Sequence, residues 1–183
     1  MTELHTALAE LAEALEACSL PYMLIGGLAV AAWGEPRSTL DIDVSAWAET
    51  DRLPEAVNCL AERFQCRSAR PLAFVQETRV LPLESAAGVR MDIFFGVLPF
   101  QRDAIRRAIR KDIVGRIIPV ASIEDLFLMK IVSERAKDLA DAKALLHRFG
   151  SAMDRAYLMP KLKELAEALS RPDIVETIQK GIV

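Results

Sequence analysis

Two periods of hydrophobic and polar positions alternate along the chain, and together they predict a mixture of helices and strands. Leucines recur at spacings of three and four near the start, which predicts a helix over residues 3–18. The apolar run over 22–25 predicts a short strand that ends at a glycine pair, and a buried helix follows over 28–33. Residues 40–47, LDIDVSAW, alternate strictly and predict a second strand.

Downstream, the same reasoning predicts strands mixed with helices first and only helices later. The middle of the chain is expected to contain, in order, a helix over 51–65, a hairpin over 70–83, a strand over 89–95, a basic helix over 100–111 and a short strand over 116–120. Ser122-Ile-Glu-Asp125 resembles a capping box, and a long helical region follows to about residue 148. Two more helices are predicted over 154–169 and 173–180.

This order of elements predicts an α+β protein with a small mixed β-sheet flanked by helices and a C-terminal helical bundle. We expect residues 1–120 to form the α/β core, which includes the N-terminal helix. We expect residues 121–183 to form the helical region, which would close a cleft over that core.

The composition fits a compact protein without a membrane segment. The chain has 183 residues, of which 52% are hydrophobic and 27% charged, with a net charge of −3. This excludes a strongly basic protein that coats nucleic acid, although a local basic patch is compatible with binding. The longest apolar run is too short to span a membrane and the first residues lack a signal-peptide pattern, so we expect a cytoplasmic protein. Without CxxC spacing, we expect reduced thiols at Cys18, Cys59 and Cys66.

Three carboxylates are candidates for a metal site. Asp41 and Asp43 are two residues apart on a strand, so their side chains leave the same face. Carboxylates this close repel each other unless a cation lies between them, and oxygen ligands favour Mg²⁺. Asp92 is the acid within the apolar strand 89–95. If that strand lies beside the strand of Asp41 and Asp43, the three acids could hold two metal ions. Asp92 would then also accept the proton of a hydroxyl nucleophile.

A second group of residues is suited to binding phosphate. Gly26 and Gly27 follow a strand and open a helix, so backbone N–H groups would point at an anion there. Arg37, Ser38 and Thr39 directly precede the aspartate strand. The guanidinium can form paired hydrogen bonds with a phosphate, and the two hydroxyls can donate to its oxygens.

The strings GGLAVAAWGEPRSTLDIDV and VRMDIFF resemble the motif of the nucleotidyltransferase superfamily related to DNA polymerase β. That motif is a glycine pair, a spacer, Asp-x-Asp and an aspartate on a separate strand. With the later segment SIEDLFLMKIVSERAKDLADAKALL, roughly residues 20–148 resemble the AbiEii-type nucleotidyltransferase toxins of abortive infection.

The resemblance implies a nucleotidyltransferase fold and an enzyme that moves a nucleoside monophosphate from an NTP to an acceptor hydroxyl of RNA or protein, with release of pyrophosphate. It implies Mg²⁺ as cofactor, as two ions, with Mn²⁺ as an alternative. It also implies a toxin–antitoxin or phage-defence system, in which a cognate antitoxin is a candidate partner.

The same resemblance assigns a lysine and an aspartate of the later segment to the active site. On one continuous helix, Lys130, Glu134, Lys137 and Asp141 would share one stripe, and the two lysines could meet the triphosphate. Lys130 is accordingly expected to be catalytic. Lys137 and Asp141 are expected to contact the nucleotide, although Asp138 competes with Asp141 for that role.

Each of these patterns has a structural alternative. Asp41 and Asp43 could be ordinary residues of an edge strand, the glycine pair could form a tight turn, and the lysine stripe could be a solvated helix face. Residues 102–116 hold six basic residues against two aspartates, which could seat an RNA acceptor or an acidic partner, or could form a solvated helix. A small-molecule acceptor such as an aminoglycoside and a non-catalytic module that only binds nucleotide or a partner are further alternatives.

Overall fold

The computed structural model describes residues 2–35, 38–133 and 135–175. The chain divides into two compact units, Met1–Ala32 with Pro36–Ala121 and Trp33–Glu35 with Ser122–Val183. The first unit contains the strands and most of the shorter helices: α1 (Glu3–Ala17), β1 (Tyr22–Ile25), α2 (Gly26–Ala32), β2 (Asp41–Ala46), α3 (Leu53–Ala61), β3 (Gln65–Cys66), α4 (Pro71–Thr78), β4 (Val80–Glu84), β5 (Arg90–Phe95), α5 (Pro99–Arg106), β6 (Ile109–Ile113) and β7 (Arg116–Val120). The second unit is helical: α6 (Ile123–Ile131), α7 (Ala136–Phe149) and α8 (Arg155–Ala168).

The sheet is mixed, with β5, β2 and β1 at its centre. In the described residues it has seven strands in the order β3-β4-β5-β2-β1-β7-β6. β2 is antiparallel to β1 and parallel to β5, while β4 is antiparallel to β5. β1 also pairs in parallel with β7, which forms an antiparallel hairpin with β6. The predicted α+β class and mixed sheet are confirmed.

Alternation along β2 and β5 separates a buried face from a polar face. The buried face carries apolar side chains that are at most 1% exposed: Ile42, Val44, Met91 and Ile93. Burial of each such side chain stabilises the fold by roughly 1.5–3 kcal/mol. Because the side-chain period of a strand is two, this burial fixes the alternate positions, which include Asp41, Asp43 and Asp92, on the other face.

The middle of the chain departs from the prediction at two places. Residues 70–83 are not a hairpin, because α4 begins with Pro71 in its first turn and only β4 is a strand. The hairpin that does form pairs β4 with β5. The basic helix predicted over 100–111 ends at Arg106, because 109–113 form β6. β6 turns into β7 at Val114 and Gly115, both with positive φ, as a type I′ turn requires.

Two of the cysteines expected to be reduced are joined by a disulfide. Cys18 follows α1 and Cys59 lies in α3, and their bonded side chains hold the two Cα atoms 6.1 Å apart. Cys66 is a free thiol, as expected. The expectation of reduced thiols was wrong for Cys18 and Cys59. The two residues are 41 positions apart, and this spacing does not indicate that the end of α1 packs beside α3.

The second unit begins at a helix cap that also joins two helices. The Ser122 hydroxyl accepts a hydrogen bond from the Asp125 N–H at 3.1 Å and donates to that carboxylate at 2.7 Å. Tyr157 of α8 donates to the other Asp125 oxygen at 2.6 Å, which ties α8 to α6. A long helical region was expected as far as residue 148, and the stripe of Lys130, Lys137 and Asp141 depended on one continuous helix. Instead α6 ends at Ile131 and α7 begins after Arg135, whose backbone is extended.

The C-terminal end of the chain is described only as far as residue 175. Most of the helix predicted over 173–180 falls outside the described residues. None of the helices that the structure describes combines the length and apolar character needed to cross a membrane.

Candidate active site

Asp43 and Asp92 lie side by side at the centre of the sheet. β2 and β5 run parallel in a register that pairs these two aspartates. Register partners on neighbouring strands project from the same face, with the strands about 4.8 Å apart. Two acids that are distant in the chain are therefore neighbours on the polar face, and both are half-buried.

Asp41 belongs to the adjacent row of the same face. It lies two residues before Asp43, and its register partner on β5 is Arg90. Arg90 is in turn paired with Glu84 on β4. Asp41 is exposed, so its carboxylate is the most accessible to solvent of the three aspartates. The sheet thus brings the three predicted carboxylates onto one face.

The glycine pair packs directly against the aspartate strand. Gly26 has φ +68°, and a Cβ placed on it would lie 2.0 Å from Oδ2 of Asp43. A Cβ on Gly27 would lie 2.9 Å from Cβ of Thr39, whose hydroxyl donates to the Asp41 carbonyl at 3.2 Å. Only glycine leaves room for these approaches, so the pair is required by the geometry of the site as well as by the turn.

Arg67 contacts Asp92, although the sequence did not single it out. Its Nη2 donates to Oδ1 of Asp92 in an ion pair, and its Nε donates to the Leu83 carbonyl at 3.3 Å. The two paired side chains are 31% and 32% exposed. Because β3 has only two residues, no periodicity could indicate which strand row Arg67 joins.

The remaining predicted phosphate ligands are only partly described. Thr39 is half-buried beside Gly27, and Ser38 is exposed next to it. Arg37 lies outside the described residues. Their contacts with a nucleotide remain predictions.

Lys130 and Asp141 meet within the second unit, together with Asp138. The Lys130 ammonium lies 2.5 Å from Oδ1 of Asp138 and 3.0 Å from Oδ2 of Asp141. The side chain of Lys130 is 8% exposed and that of Asp138 is 1% exposed. The other Asp138 oxygen accepts from Ser133 at 2.8 Å and Arg135 at 2.5 Å. These residues form a buried ionic cluster.

The Asp138 carboxyl is held ionised by this cluster. Burial by itself raises the pKa of Asp138, but hydrogen bonds from Lys130, Ser133 and Arg135 outweigh that effect and bring the pKa down from 3.8 to about 2. Lys137, on the same helix α7, is exposed and does not belong to the cluster. Its predicted contact with the nucleotide, like that of Asp141, remains a prediction.

The donor set of the polar face fits a divalent cation. Three carboxylates supply the hard oxygen ligands that Mg²⁺ prefers, and Gly26 keeps a side chain out of the position beside Asp43. Within the described ranges, however, no three acid, histidine or cysteine side chains gather closely enough to hold an ion. One oxygen of Asp92 is engaged by Arg67 instead. The ligand types are therefore present on one face, with one of them paired to a guanidinium.

The basic segment 102–116 is not a single helix face. Arg102 and Arg106 lie on α5, whereas Arg110 and Lys111 lie on the strand β6. Arg116 pairs with two glutamates of α1, at 2.7 and 3.1 Å. The charge is thus divided between a helix and the outer hairpin of the sheet.

A cavity of about 450 Å³ lies beyond the other end of β2 and does not include the three aspartates. Its walls include the Cys18–Cys59 disulfide and Trp47, which follows β2. Its charged rim is paired internally, with Arg52 at 3.3 Å from Glu55 and Arg102 at 3.7 Å from Glu49. The carboxylate site is therefore separate from this cavity.

Comparison with known proteins identifies the family and the fold. The family described as nucleotidyl transferase AbiEii toxin, type IV toxin–antitoxin system, matches residues 6–176. Among curated proteins, none matches this chain.

Solved structures share the fold at low identity. An antigenic nucleotidyltransferase-like protein from Paracoccidioides brasiliensis is 19% identical, with 97% of this chain and 92% of that chain covered and a TM-score of 0.52. The antibiotic-resistance factor ANT(2'')-Ia is 17% identical, with 97% of each chain covered and a TM-score of 0.57. The lincosamide antibiotic adenylyltransferase LnuA is 20% identical, with 79% of this chain and 96% of that chain covered and a TM-score of 0.54. The nucleotidyltransferase fold is confirmed, and the chain belongs to the AbiEii family of toxin nucleotidyltransferases.

Proposed function

We propose that this nucleotidyltransferase moves a nucleoside monophosphate from an NTP to an acceptor hydroxyl and releases pyrophosphate, with Asp41, Asp43 and Asp92 as its metal ligands. The observation that carries the proposal is the parallel register of β2 and β5, which pairs Asp43 with Asp92 on the face that also bears Asp41. Family membership supports the transfer of a nucleoside monophosphate.

Asp92 has a second role in this proposal. It is the one of the three acids that comes from a separate strand, so it approaches the site from the side opposite to Gly26. From that side its carboxylate would accept the proton of the acceptor hydroxyl. Mg²⁺, as two ions or with Mn²⁺ in its place, would supply charge neutralisation at the reacting phosphate when bound.

The nucleotide would lie along the glycine pair. Backbone N–H groups of Gly26 and Gly27 and the hydroxyls of Ser38 and Thr39 are suited to phosphate oxygens, and Arg37 would add a guanidinium. The close packing of Gly27 on Thr39 supports this part, because it sets the hydroxyl beside the glycine backbone. The roles of Lys130, Lys137 and Asp141 rest on the family resemblance.

The acceptor we favour is RNA or a protein, within a toxin–antitoxin or phage-defence system that provides an antitoxin partner. A small-molecule acceptor is the second candidate, because LnuA is an adenylyltransferase for a lincosamide antibiotic and shares the fold. Incubation with each NTP radiolabelled at its α-phosphate, which is transferred with the nucleoside, and with separate pools of RNA, cell protein and antibiotic would show which pool takes up label.

The catalytic proposal is tested by Asp92→Asn, measured as pyrophosphate release, with Asp51→Asn as the matched control. Asp51 is an exposed aspartate in the loop before α3. We expect Asp92→Asn to lower turnover at least a hundredfold while circular dichroism stays unchanged, because a positioned general base alone contributes about 10²–10⁴-fold. Asp51→Asn should match the parent. Parent-like turnover of folded Asp92→Asn would refute the assignment and favour a module that only binds.

A further inference from the structure

The Arg67 side chain crosses one strand of the sheet to reach Asp92. The Arg67 N–H donates to the Pro82 carbonyl at 2.9 Å, so the residue stands beside Pro82. Pro82 is in turn the register partner of Asp92 on β5. The guanidinium therefore passes over β4 at Pro82 before it meets Asp92.

Pro82 makes this crossing possible. Its compact ring is buried and shares the face with Asp92, whereas a long side chain at that position would stand in the path of the guanidinium. Pro82, Asp92 and Asp43 thus form one row across three strands, and Arg67, which directly follows β3, adds a cation at the end of the row opposite to Asp43.

The row also places a cation beside two neighbouring carboxylates. Asp43 and Asp92 are register partners, and like charges this close repel unless a cation is near. Arg67 supplies that cation at Asp92.

We propose that Arg67 is a positioning residue that acts as an exchangeable counter-cation. It holds Asp92 in the metal-free enzyme and releases it when a divalent cation binds. The inference rests on the proposed function, since it takes Asp92 as a metal ligand. The ion pair is suited to exchange because both side chains are about one third exposed, and pairs in contact with water are weak.

The test measures the affinity of the whole protein for Mn²⁺ in the absence of nucleotide, with electron paramagnetic resonance as the readout of bound and free ion. Arg67→Gln removes the competing cation, so we expect Mn²⁺ to bind about three- to fivefold more tightly than to the parent. Arg67→Lys keeps a cation and should remain nearer the parent. Arg70→Gln removes an exposed arginine three positions away and serves as the control for a general change of charge.

Each outcome decides the matter. Unchanged affinity in Arg67→Gln, or an equal gain in Arg70→Gln, would overturn the proposal. If Arg67→Gln fails to fold, as judged by its melting curve, Arg67→Lys answers the question. A gain in Mn²⁺ affinity as large as that expected for Arg67→Gln would show that the cation does not compete.

Asp43→Asn separates the role of Arg67 from the proposed function. If it loses Mn²⁺ while Arg67→Gln is unchanged, only the role of Arg67 falls; if it binds like the parent, the metal site itself is wrong.

Discussion

The backbone of Gly26 approaches Asp43 so closely that a Cβ on Gly26 would lie 2.0 Å from Oδ2 of Asp43. Gly88 has a similar backbone, with φ +78°, but a Cβ placed there meets nothing within 4 Å. The two glycines therefore form a matched pair that separates backbone strain from a clash with the site.

Gly88→Ala should lower the free energy of unfolding by about 1–2 kcal/mol, the strain of a left-handed residue. Gly26→Ala should lower it further and should abolish Mn²⁺ binding, because Asp43 must move to admit the methyl group. Urea unfolding and Mn²⁺ titration of both variants check this. Equal effects of the two substitutions would mean that contact with Asp43 is unimportant.

Removal of Lys130 should destabilise the protein whether or not Lys130 contacts the nucleotide. Lys130→Ala leaves Asp138 and Asp141 buried without their shared cation, a change that typically costs about 3–5 kcal/mol. Lys137→Ala, on the exposed side of α7, should stay within about 0.5 kcal/mol of the parent. Urea denaturation measures both. A stable Lys130→Ala variant would contradict the structural importance of the cluster.

Acid should weaken the same cluster over a defined range. The pKa of Asp138 is lowered from 3.8 to about 2 in the folded protein. The unfolded chain therefore binds the proton first, and stability falls as the pH drops. The contribution, of the order of 2 kcal/mol, is fully present above about pH 4 and is lost as the pH falls through about 2.

Urea titration of the parent and of Asp138→Asn from pH 6 to pH 2 isolates the contribution of the ionised Asp138. The quantity compared is the difference between their free energies of unfolding. The advantage of the parent should shrink as the pH drops through that range. An advantage that is independent of pH would show that Asp138 is not ionised against Lys130 in the way the contacts indicate.

The disulfide should contribute to stability through the loop it closes. Cys18 and Cys59 are 41 positions apart, and closure of a loop of that length stabilises a protein by about 4 kcal/mol in the chain-entropy treatment. Cys18→Ser with Cys59→Ser should therefore lower the melting temperature clearly, whereas Cys66→Ser should change it little. If dithiothreitol shifts the melting curve of the Cys66→Ser protein no more than that of the double variant, the bridge contributes nothing.

The placement of Asp41 and Asp43 on one face could be predicted because a short-range rule fixes it. The period of two along β2 and β5 decides which face the aspartates share, and burial of residues such as Ile42 and Met91 holds that choice. The glycine pair was likewise recognisable, because few other residues allow the approach to Asp43. The pairing of β2 with β5 was only a condition of the prediction, because the pattern within a strand does not specify which strand lies beside it.

The features that could not be predicted depend on contacts between distant segments. Arg67 reaches Asp92 only because a two-residue strand lies at the edge of the sheet, and two residues have no periodicity. The residues of α4 alternate weakly and resembled a strand, but Pro71 and packing on α3 and β4 favour the helix. The Cys18–Cys59 bridge depends in the same way on how α1 meets α3.

The parallel pairing of β2 with β5 also bears on when the proposed metal site can form during synthesis of the chain. Parallel neighbours cannot be joined by a tight turn, and here α3, β3, α4 and β4 intervene. A ribosome that has translated as far as β4 has made Asp41 and Asp43 but not Asp92. The three proposed ligands therefore cannot meet until β5 has been synthesised and has docked beside β2.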